Sequence, residues 1–445
     1  MLVGALPSIA RAQDQTPRLP AASERQIVAE LEKADVVGAA ITVVQAGQVR
    51  AFIPYGRASI PFDIPVTPQT LFHTGSVGKH VTALAILQLA EAGRLQLDWP
   101  IGRVVTGLPD WIAAVSIRDL LGHTGGIPDY ESGFEWDRPY SLEAIIGGLA
   151  GPSFAPGQAW SYSNTGYVLL GQAIETLSGL TYAAYVAERL FGPAGLPLAR
   201  PDAAGQPIVG RAEPYDKQDG VVTHATRMSS DVSAMPDGGL LFSSLDWAPW
   251  MRAVEGGRLL NEEGAQTMFT SGVLTNGVAS GYGFGWFVDE VRGQPVYHHS
   301  GGVPGFVTYV EYHPAEDVMA VATFNSTPRT PFRPLVELTI ETVAPGTTTL
   351  GLEPRQQSAR RDERLRSFLL GGIEDSLVLP NVLLAEQAVG RAPSQRVSGE
   401  LERADFLESH AVAGGEIARY RLRIGGMDRL RQVGWTPDDR VFLHR

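Results

Sequence analysis

Residues 81–92 read Val-Thr-Ala-Leu-Ala-Ile-Leu-Gln-Leu-Ala-Glu-Ala, and Gly93 follows. The run is long enough for three helical turns, and a glycine just past its end is a common helix stop. A surface helix carries one apolar stripe. This one is apolar nearly all round, so other elements must wrap it on every side. Any fold for this chain is therefore built around that helix. A hydrophobic share of 44% and a charged share of 19% over 445 residues can supply the wrapping.

The surrounding patterns suggest a sheet. A helix-like stretch over 22–33 comes first. Then 39–44, a turn at 45–47 and 48–53 read as a β-hairpin. Residues 98–236 mix short helices with Gly/Pro turns, and helical periodicity is clearest over 167–177 and 182–190. From residue 282 the pattern turns to β, with strand candidates at 283–288, 296–300, 306–312 and 318–324 and a closing helix over 334–343. Successive strands separated by turns imply an antiparallel meander that shares one sheet with the early hairpin. The expected organisation is a flexible N-terminus over 1–21, a main α+β domain over 22–345, a linker over 346–364 and a small α+β domain over 365–445. In the last of these, 365–390 is weakly helical, and 418–424, 429–434 and 440–444 alternate like strands.

Composition removes several functions. Lys and Arg number 36 against 48 acidic residues, a net charge of −12, and no basic run offsets it. A nucleic-acid partner is not expected. There is no cysteine, so disulfides, thiolate metal sites and a cysteine nucleophile are excluded. The nine histidines lack metal-ligand spacing, and neither metal nor cofactor is expected. No stretch approaches the roughly 20 apolar residues of a membrane span. An apolar run over 2–10, with Ala10-Arg11-Ala12 before Gln13, resembles the end of a secretory signal peptide, so a periplasmic or secreted location is expected.

Three segments carry chemistry. The first is His73-Thr-Gly-Ser76-Val-Gly-Lys79, directly before the apolar helix. Residues at i and i+3 share a helix face, so Ser76 Oγ and Lys79 Nζ can meet. Near a helix N-terminus, and buried, a lysine loses its proton more readily; the neutral amine accepts a serine proton, as arginine cannot. The chain holds only three lysines, at 33, 79 and 217, and one of them stands here. A phosphate-binding loop fits poorly, because His80 follows Gly78-Lys79 and His73 occupies its first glycine position.

The second is Trp160-Ser-Tyr162-Ser-Asn164-Thr-Gly166. Tyr162 acts as a general acid/base where a nearby cation lowers its pKa of about 10. Asn164 can bond both Lys79 and a substrate amide. The same residues also fit a helix start, with Ser163 or Asn164 as N-cap. The third is Tyr297-His-His299-Ser300-Gly301-Gly302 at the end of a strand candidate. Backbone N–H groups of Ser76 and Gly302 can form an oxyanion hole, each donor being worth ~10²–10³ in turnover. His299 is a candidate for a cationic or hydrogen-bonding position, whereas His298 reads as a core residue.

In this order, Ser76-Val-Gly-Lys79, Tyr162-Ser-Asn164 and His299-Ser300-Gly301 resemble the serine β-lactamase and penicillin-binding protein superfamily, whose signature is S-x-x-K, Ser/Tyr-x-Asn and a K-T-G-like strand. The tyrosine in the second motif is similar to the branch of class C β-lactamases, DD-peptidases, D-aminopeptidases and family VIII esterases. The segments 120–130 and 237–246 also resemble loops of that branch. The resemblance covers about residues 22–345. It implies a β-lactamase/transpeptidase-like α+β fold, an antiparallel sheet flanked by helices beside a helical subdomain. It also implies an acyl-enzyme mechanism. Ser76 is the nucleophile, Lys79 and Tyr162 shuttle the proton, and the Ser76 and Gly302 amides form the oxyanion hole. Asn164, His299, Ser300 and Gly301 bind substrate.

Two departures bear on specificity. His299 stands where β-lactamases usually carry lysine, and Arg292 is the one candidate for a carboxylate-binding arginine over 287–295. The expectation is a hydrolase of a small ester or D-amino-acid-containing amide. The alternatives are a β-lactamase or D-Ala-D-Ala carboxypeptidase, and a non-catalytic binding or sensor protein on the same fold. The C-terminal segment resembles small cystatin-like or NTF2-like domains.

Overall fold

A computed structural model describes residues 17–131, 135–202, 206–229, 232, 234–392 and 395–445. The signal-peptide reading of 2–13 lies outside the described residues. Helix α1 (Ala21–Ala34) leads into strands β1 (Gly38–Gln45) and β2 (Gln48–Ser59), the expected hairpin. Later come β3 (Phe287–Val291), β4 (Gln294–Val303), β5 (Phe306–His313) and β6 (Val318–Phe324). One antiparallel sheet runs in the order of a short edge piece at Ile64–Pro65, then β2, β1, β6, β5, β4, β3. The early hairpin thus pairs with the last strand of the late meander, through Ala39↔Phe324 to Gln45↔Val318.

The sheet is buried on both faces. Ile27 and Leu31 of α1 and Val336 and Ile340 of a later helix (Arg333–Glu341) pack on Ile41, Val43, Ala320 and Ala322. The opposite face, with Val310 and Val321, meets helix α2 (Lys79–Glu91) and helix α3 (Asn164–Ser178). Ten of the thirteen residues of α2 are buried, as a helix apolar all round requires.

The strand expected over 283–288 is displaced. Gly283 to Trp286 form a bend, and β3 starts at Phe287. Gly285 has φ +80°, and a Cβ there would lie 2.5 Å from His80 Cα, so this segment is pressed backbone-first onto the start of α2.

Beyond the meander, helix α4 (Ala359–Leu369) begins inside the stretch read as linker, and α5 (Pro380–Ala388) follows. A separate four-stranded antiparallel sheet comprises β7 (Leu401–Val412), β8 (Gly415–Ile424), β9 (Met427–Trp435) and β10 (Val441–His444). Its own core joins Leu365, Phe368, Tyr420, Leu422 and Trp435. This unit docks on β3 through charge. Arg419, 2% exposed, bonds both carboxylate oxygens of Asp289 at 2.9 Å and Glu408 at 3.1 Å. Burial alone would raise the Asp289 pKa, but Arg419, Arg445 and Arg333 together hold it well below the usual carboxylate range. Arg445 NH2 donates to Val288 O at 2.9 Å.

Candidate active site

Ser76 lies in a 3-10 turn, Gly75–Gly78, that runs straight into α2. Gly75 takes φ +52°, and its N–H donates to His73 Nδ1 at 3.0 Å. Thr74 Oγ1 donates to Gly238 O at 3.0 Å, and Thr308 Oγ1 donates to His73 O at 3.0 Å. The turn is thereby clamped between the 236–240 segment and the sheet. The clamp is close. A Cβ at Gly75 would lie 2.7 Å from Gly302 N, and one at Gly301 would lie 2.8 Å from Ser76 N. The Ser76 and Gly302 amides are therefore brought to the same place. Ser76 itself is partly exposed while its neighbours Gly75 and Val77 are buried, so the hydroxyl is the accessible group of the turn.

Lys79 is 0% exposed. Its Nζ lies 3.2 Å from Ser76 Oγ, 2.5 Å from Asn164 Oδ1 and 2.7 Å from Asp237 O. Asn164 Oδ1 and the Asp237 carbonyl can only accept, so they take two ammonium protons. The third direction faces Ser76. Loss of that proton leaves the amine lone pair aimed at the serine hydroxyl. Burial lowers the Lys79 pKa; the Asp237, Asp129 and Glu131 carboxylates oppose this without reversing it.

Asn164 is the first residue of α3, and Ser163 is its N-cap, accepting from Gly166 N at 3.3 Å. The helix-start and active-site readings of this segment both hold, on adjacent residues. Asn164 Nδ2 donates to Asp129 Oδ2 at 3.1 Å, which orients its oxygen towards Lys79. Tyr162 presents its ring face 4.8 Å from Lys79 Nζ. Among the described residues its buried hydroxyl has no hydrogen-bond partner; Ser76 is near enough to favour the phenolate but outside bonding geometry. Burial pushes the Tyr162 pKa well above 10, so the expectation of a cation-lowered phenol is corrected. Tyr162 is a neutral O–H donor and acceptor. His123 holds its loop: at φ +58°, a strained conformation for a histidine, it accepts from Ser163 N at 3.1 Å and packs 4.3 Å from the Tyr162 ring.

His299 is not a cation. Burial, and then the charge of Lys79, lower its pKa to about 3. Its ring contacts Tyr282 OH at 2.9 Å and Ser300 O at 2.6 Å. Arg292 is likewise corrected as a carboxylate binder. Its guanidinium donates to Thr348 O at 2.8 Å and Leu350 O at 2.9 Å, away from the cleft. Strand β3 pairs with β4 only as far as Phe287↔His298. From His299 to Val303 no strand among the described residues pairs with the β4 edge on that side. Ser300 and Gly302 are exposed there, and a Cβ at Gly302 would meet nothing within 4 Å. This edge offers backbone donors and acceptors to an extended substrate.

Several contributors carried no assigned role in the sequence, among them His123, Asp129, Asp237 and Tyr282. Asp129 and Asp237 sit in the two segments whose likeness to family loops was visible, but Asp237 acts through its backbone carbonyl, which any residue supplies. Tyr282 had no signal beyond its place before the strand pattern.

Residues 24–343 match the family model described as Beta-lactamase. Penicillin-binding protein 4* of Bacillus subtilis is 29% identical over 60% of this chain and 63% of its own length. The D-aminopeptidase of Brucella anthropi is 26% identical over 65% of this chain and 56% of its own length. The chain thus spans under two-thirds of each of these relatives. The octameric penicillin-binding protein homologue from Pyrococcus abyssi superposes with a TM-score of 0.61 at 21% identity, covering 94% of this chain and 96% of that one, which extends the shared fold through the C-terminal sheet. With the family model spanning most of its length, the chain belongs to the beta-lactamase family, with the β-lactamase/transpeptidase-like α+β fold.

Proposed function

We propose that this chain is a serine hydrolase that forms an acyl-enzyme on Ser76, acting on a small ester or a D-amino-acid-containing amide. The observation that carries the proposal is the fixing of Lys79 Nζ 3.2 Å from Ser76 Oγ by two groups that can only accept. Lys79 takes the serine proton as Oγ attacks the carbonyl carbon. The carbonyl oxygen gathers negative charge between the Ser76 and Gly302 N–H groups. The Tyr162 hydroxyl, neutral and beside both Lys79 and Ser76, relays the proton from the lysine to the leaving group. Water then attacks the acyl-enzyme, with the same groups working in reverse. Asn164 and the β4 edge at His299, Ser300 and Gly301 hold the substrate.

The D-aminopeptidase relative supports an amide of a D-amino acid. The second reading is a β-lactamase or D-Ala-D-Ala carboxypeptidase; a neutral His299 where β-lactamases usually carry lysine weighs against the β-lactamase, though not against the carboxypeptidase. The intact Ser76–Lys79–Asn164 contacts weigh against a non-catalytic sensor. Export to the periplasm or cell exterior belongs to the same proposal and rests on residues 2–13. The test is to incubate the protein with p-nitrophenyl butyrate, nitrocefin and a D-Ala-D-Ala peptide beside Ser76→Ala. Ester turnover lost in the variant is expected. Turnover that survives it removes Ser76 from the mechanism.

A further inference from the structure

Two cavities flank the catalytic cleft, and the C-terminal unit walls both. One, of about 220 Å³, is lined by Trp160 and Tyr162 from the catalytic side and by Glu386, Arg391 and His444 from the other. The second, of about 510 Å³, is lined by Phe287, His298 and Ser300 from the catalytic side and by Arg421, Arg429 and Arg431 from the other. Tyr162 and Ser300 belong to the catalytic loop and to the open β4 edge. Each cavity thus abuts one residue of the candidate site, and the larger one borders the open β4 edge at Ser300.

The charges on the C-terminal wall are unbalanced. Glu386 is held bidentately by Arg396, at 2.6 and 2.8 Å. The acids lining the larger cavity are also engaged, Glu337 by Arg333 at 3.0 Å and Asp428 by Arg423 at 3.2 Å. Arg391, Arg429 and Arg431 form no ion pair among the described residues, and Arg429 Nε is buried without any hydrogen-bond partner. The three guanidiniums are close enough to repel: burial, then Arg429 and Arg391, hold Arg431 below its usual range. The edge of β9 helps to expose them. Strand β10 pairs with β9 only over Val433–Trp435, leaving Arg429 and Arg431 beyond its cover. In a chain of net charge −12, unpaired arginines facing a cavity call for an anion.

We propose that Arg429 and Arg431, which line the larger cavity beside Ser300, form a subsite for a carboxylate at one end of the substrate, so that the C-terminal unit selects anionic substrates for Ser76. The proposal rests on the hydrolase reading above. Guanidiniums match carboxylates in planar, two-point geometry, and hydrogen bonds to charged groups are the stronger ones. A carboxylate here replaces the missing partner of Arg429 and relieves repulsion within the cluster.

The test uses the full chain and two pairs of esters. Mono-p-nitrophenyl adipate against p-nitrophenyl hexanoate places the charge on the acyl side. 3-Carboxyphenyl hexanoate against phenyl hexanoate places it on the leaving-group side. In one pair the anionic member is expected to have the higher kcat/KM, by on the order of tenfold or more. In Arg429→Gln/Arg431→Gln that ratio falls towards one through KM, and Arg429→Lys/Arg431→Lys restores part of it. Arg403→Gln, a surface change on the same unit, leaves the ratio as it is. Thermal unfolding of each variant monitors folding. No preference in either pair, or a preference that persists in the double Gln variant, overturns the proposal. Should no ester be turned over, the ester half of the hydrolase reading fails by itself. The subsite is then judged by calorimetric binding of adipate to the Ser76→Ala protein. Binding weakened at least tenfold by the double Gln change upholds it, and no binding overturns it.

Discussion

Gly301→Ala probes the backbone packing that places Ser76. A Cβ at residue 301 would lie 2.1 Å from Thr74 O, 2.8 Å from Ser76 N and 3.0 Å from Gly75 C. Non-bonded carbon contacts settle at about 3.5 Å, so β4 and the nucleophile turn must part by roughly 1 Å. All three neighbours are backbone atoms, so no side chain can rotate away. Overpacking of this kind costs about 1–3 kcal/mol of stability. The catalytic cost is larger, because a displacement of about 1 Å at a reacting group is worth about 10²-fold in rate. The separation also pulls the Gly302 N–H away from the Ser76 N–H, which weakens the oxyanion site. The assay is steady-state hydrolysis of p-nitrophenyl butyrate, with thermal unfolding of the same samples. The expected result is a folded protein with kcat lowered about 10²-fold. Gly302→Ala is the comparison, since a Cβ there meets nothing within 4 Å. Its stability stays within about 0.5 kcal/mol of the parent. A Gly301→Ala protein with parental kcat, or a Gly302→Ala protein destabilised as much, refutes the packing argument.

Lys79→Arg keeps the charge and removes the base, so kcat falls by about 10²–10⁴-fold, measured with the same ester. In the parent, kcat/KM climbs with pH as Lys79 loses its proton, with a midpoint below 10.5 because burial lowers that pKa. A pH profile with no such limb contradicts the lysine-base assignment. The pH dependence of stability follows from the buried histidines. His80 and His299 have folded pKa values of about 4 and about 3, below the unfolded value of 6.5. Between those limits the unfolded chain binds the extra protons, so stability is lost as pH falls below 6.5. The slope is about 1.4 kcal/mol per pH unit for each such histidine. Denaturant titrations from pH 7 to pH 4.5 check this, and a flat stability over that range contradicts it.

The catalytic segment was legible because its chemistry needs side chains at fixed spacing. Ser76 and Lys79 share a face, and the apolar run after them could only be a central helix. Asn164 was legible as one of two readings, and both hold because Ser163 takes the capping role. What escaped had other causes. Asp237 contributes a carbonyl, and Asp129 acts through Asn164, so neither leaves a local pattern. The bend over 283–286 imitates a strand in its aromatic residues, but Gly285 at φ +80° breaks the extension to reach His80. Strand β7 was missed because its apolar residues do not alternate with its polar ones and most of the strand is exposed or only partly buried, with Leu407 and Glu408 the buried exceptions. Of the two alternatives for His299, the hydrogen-bonding one holds and the cationic one does not, and Tyr162 is not a low-pKa phenol; burial dominates the shift of each.

The central claim is that Ser76, activated by Lys79, is the group that becomes acylated. Reacting the native protein with a fluorophosphonate and mapping the adduct by peptide mass spectrometry tests it most directly. The account predicts one adduct, on Ser76, absent in Ser76→Ala and formed far more slowly in Lys79→Arg. An adduct on another residue, or labelling that persists in Ser76→Ala, would contradict it.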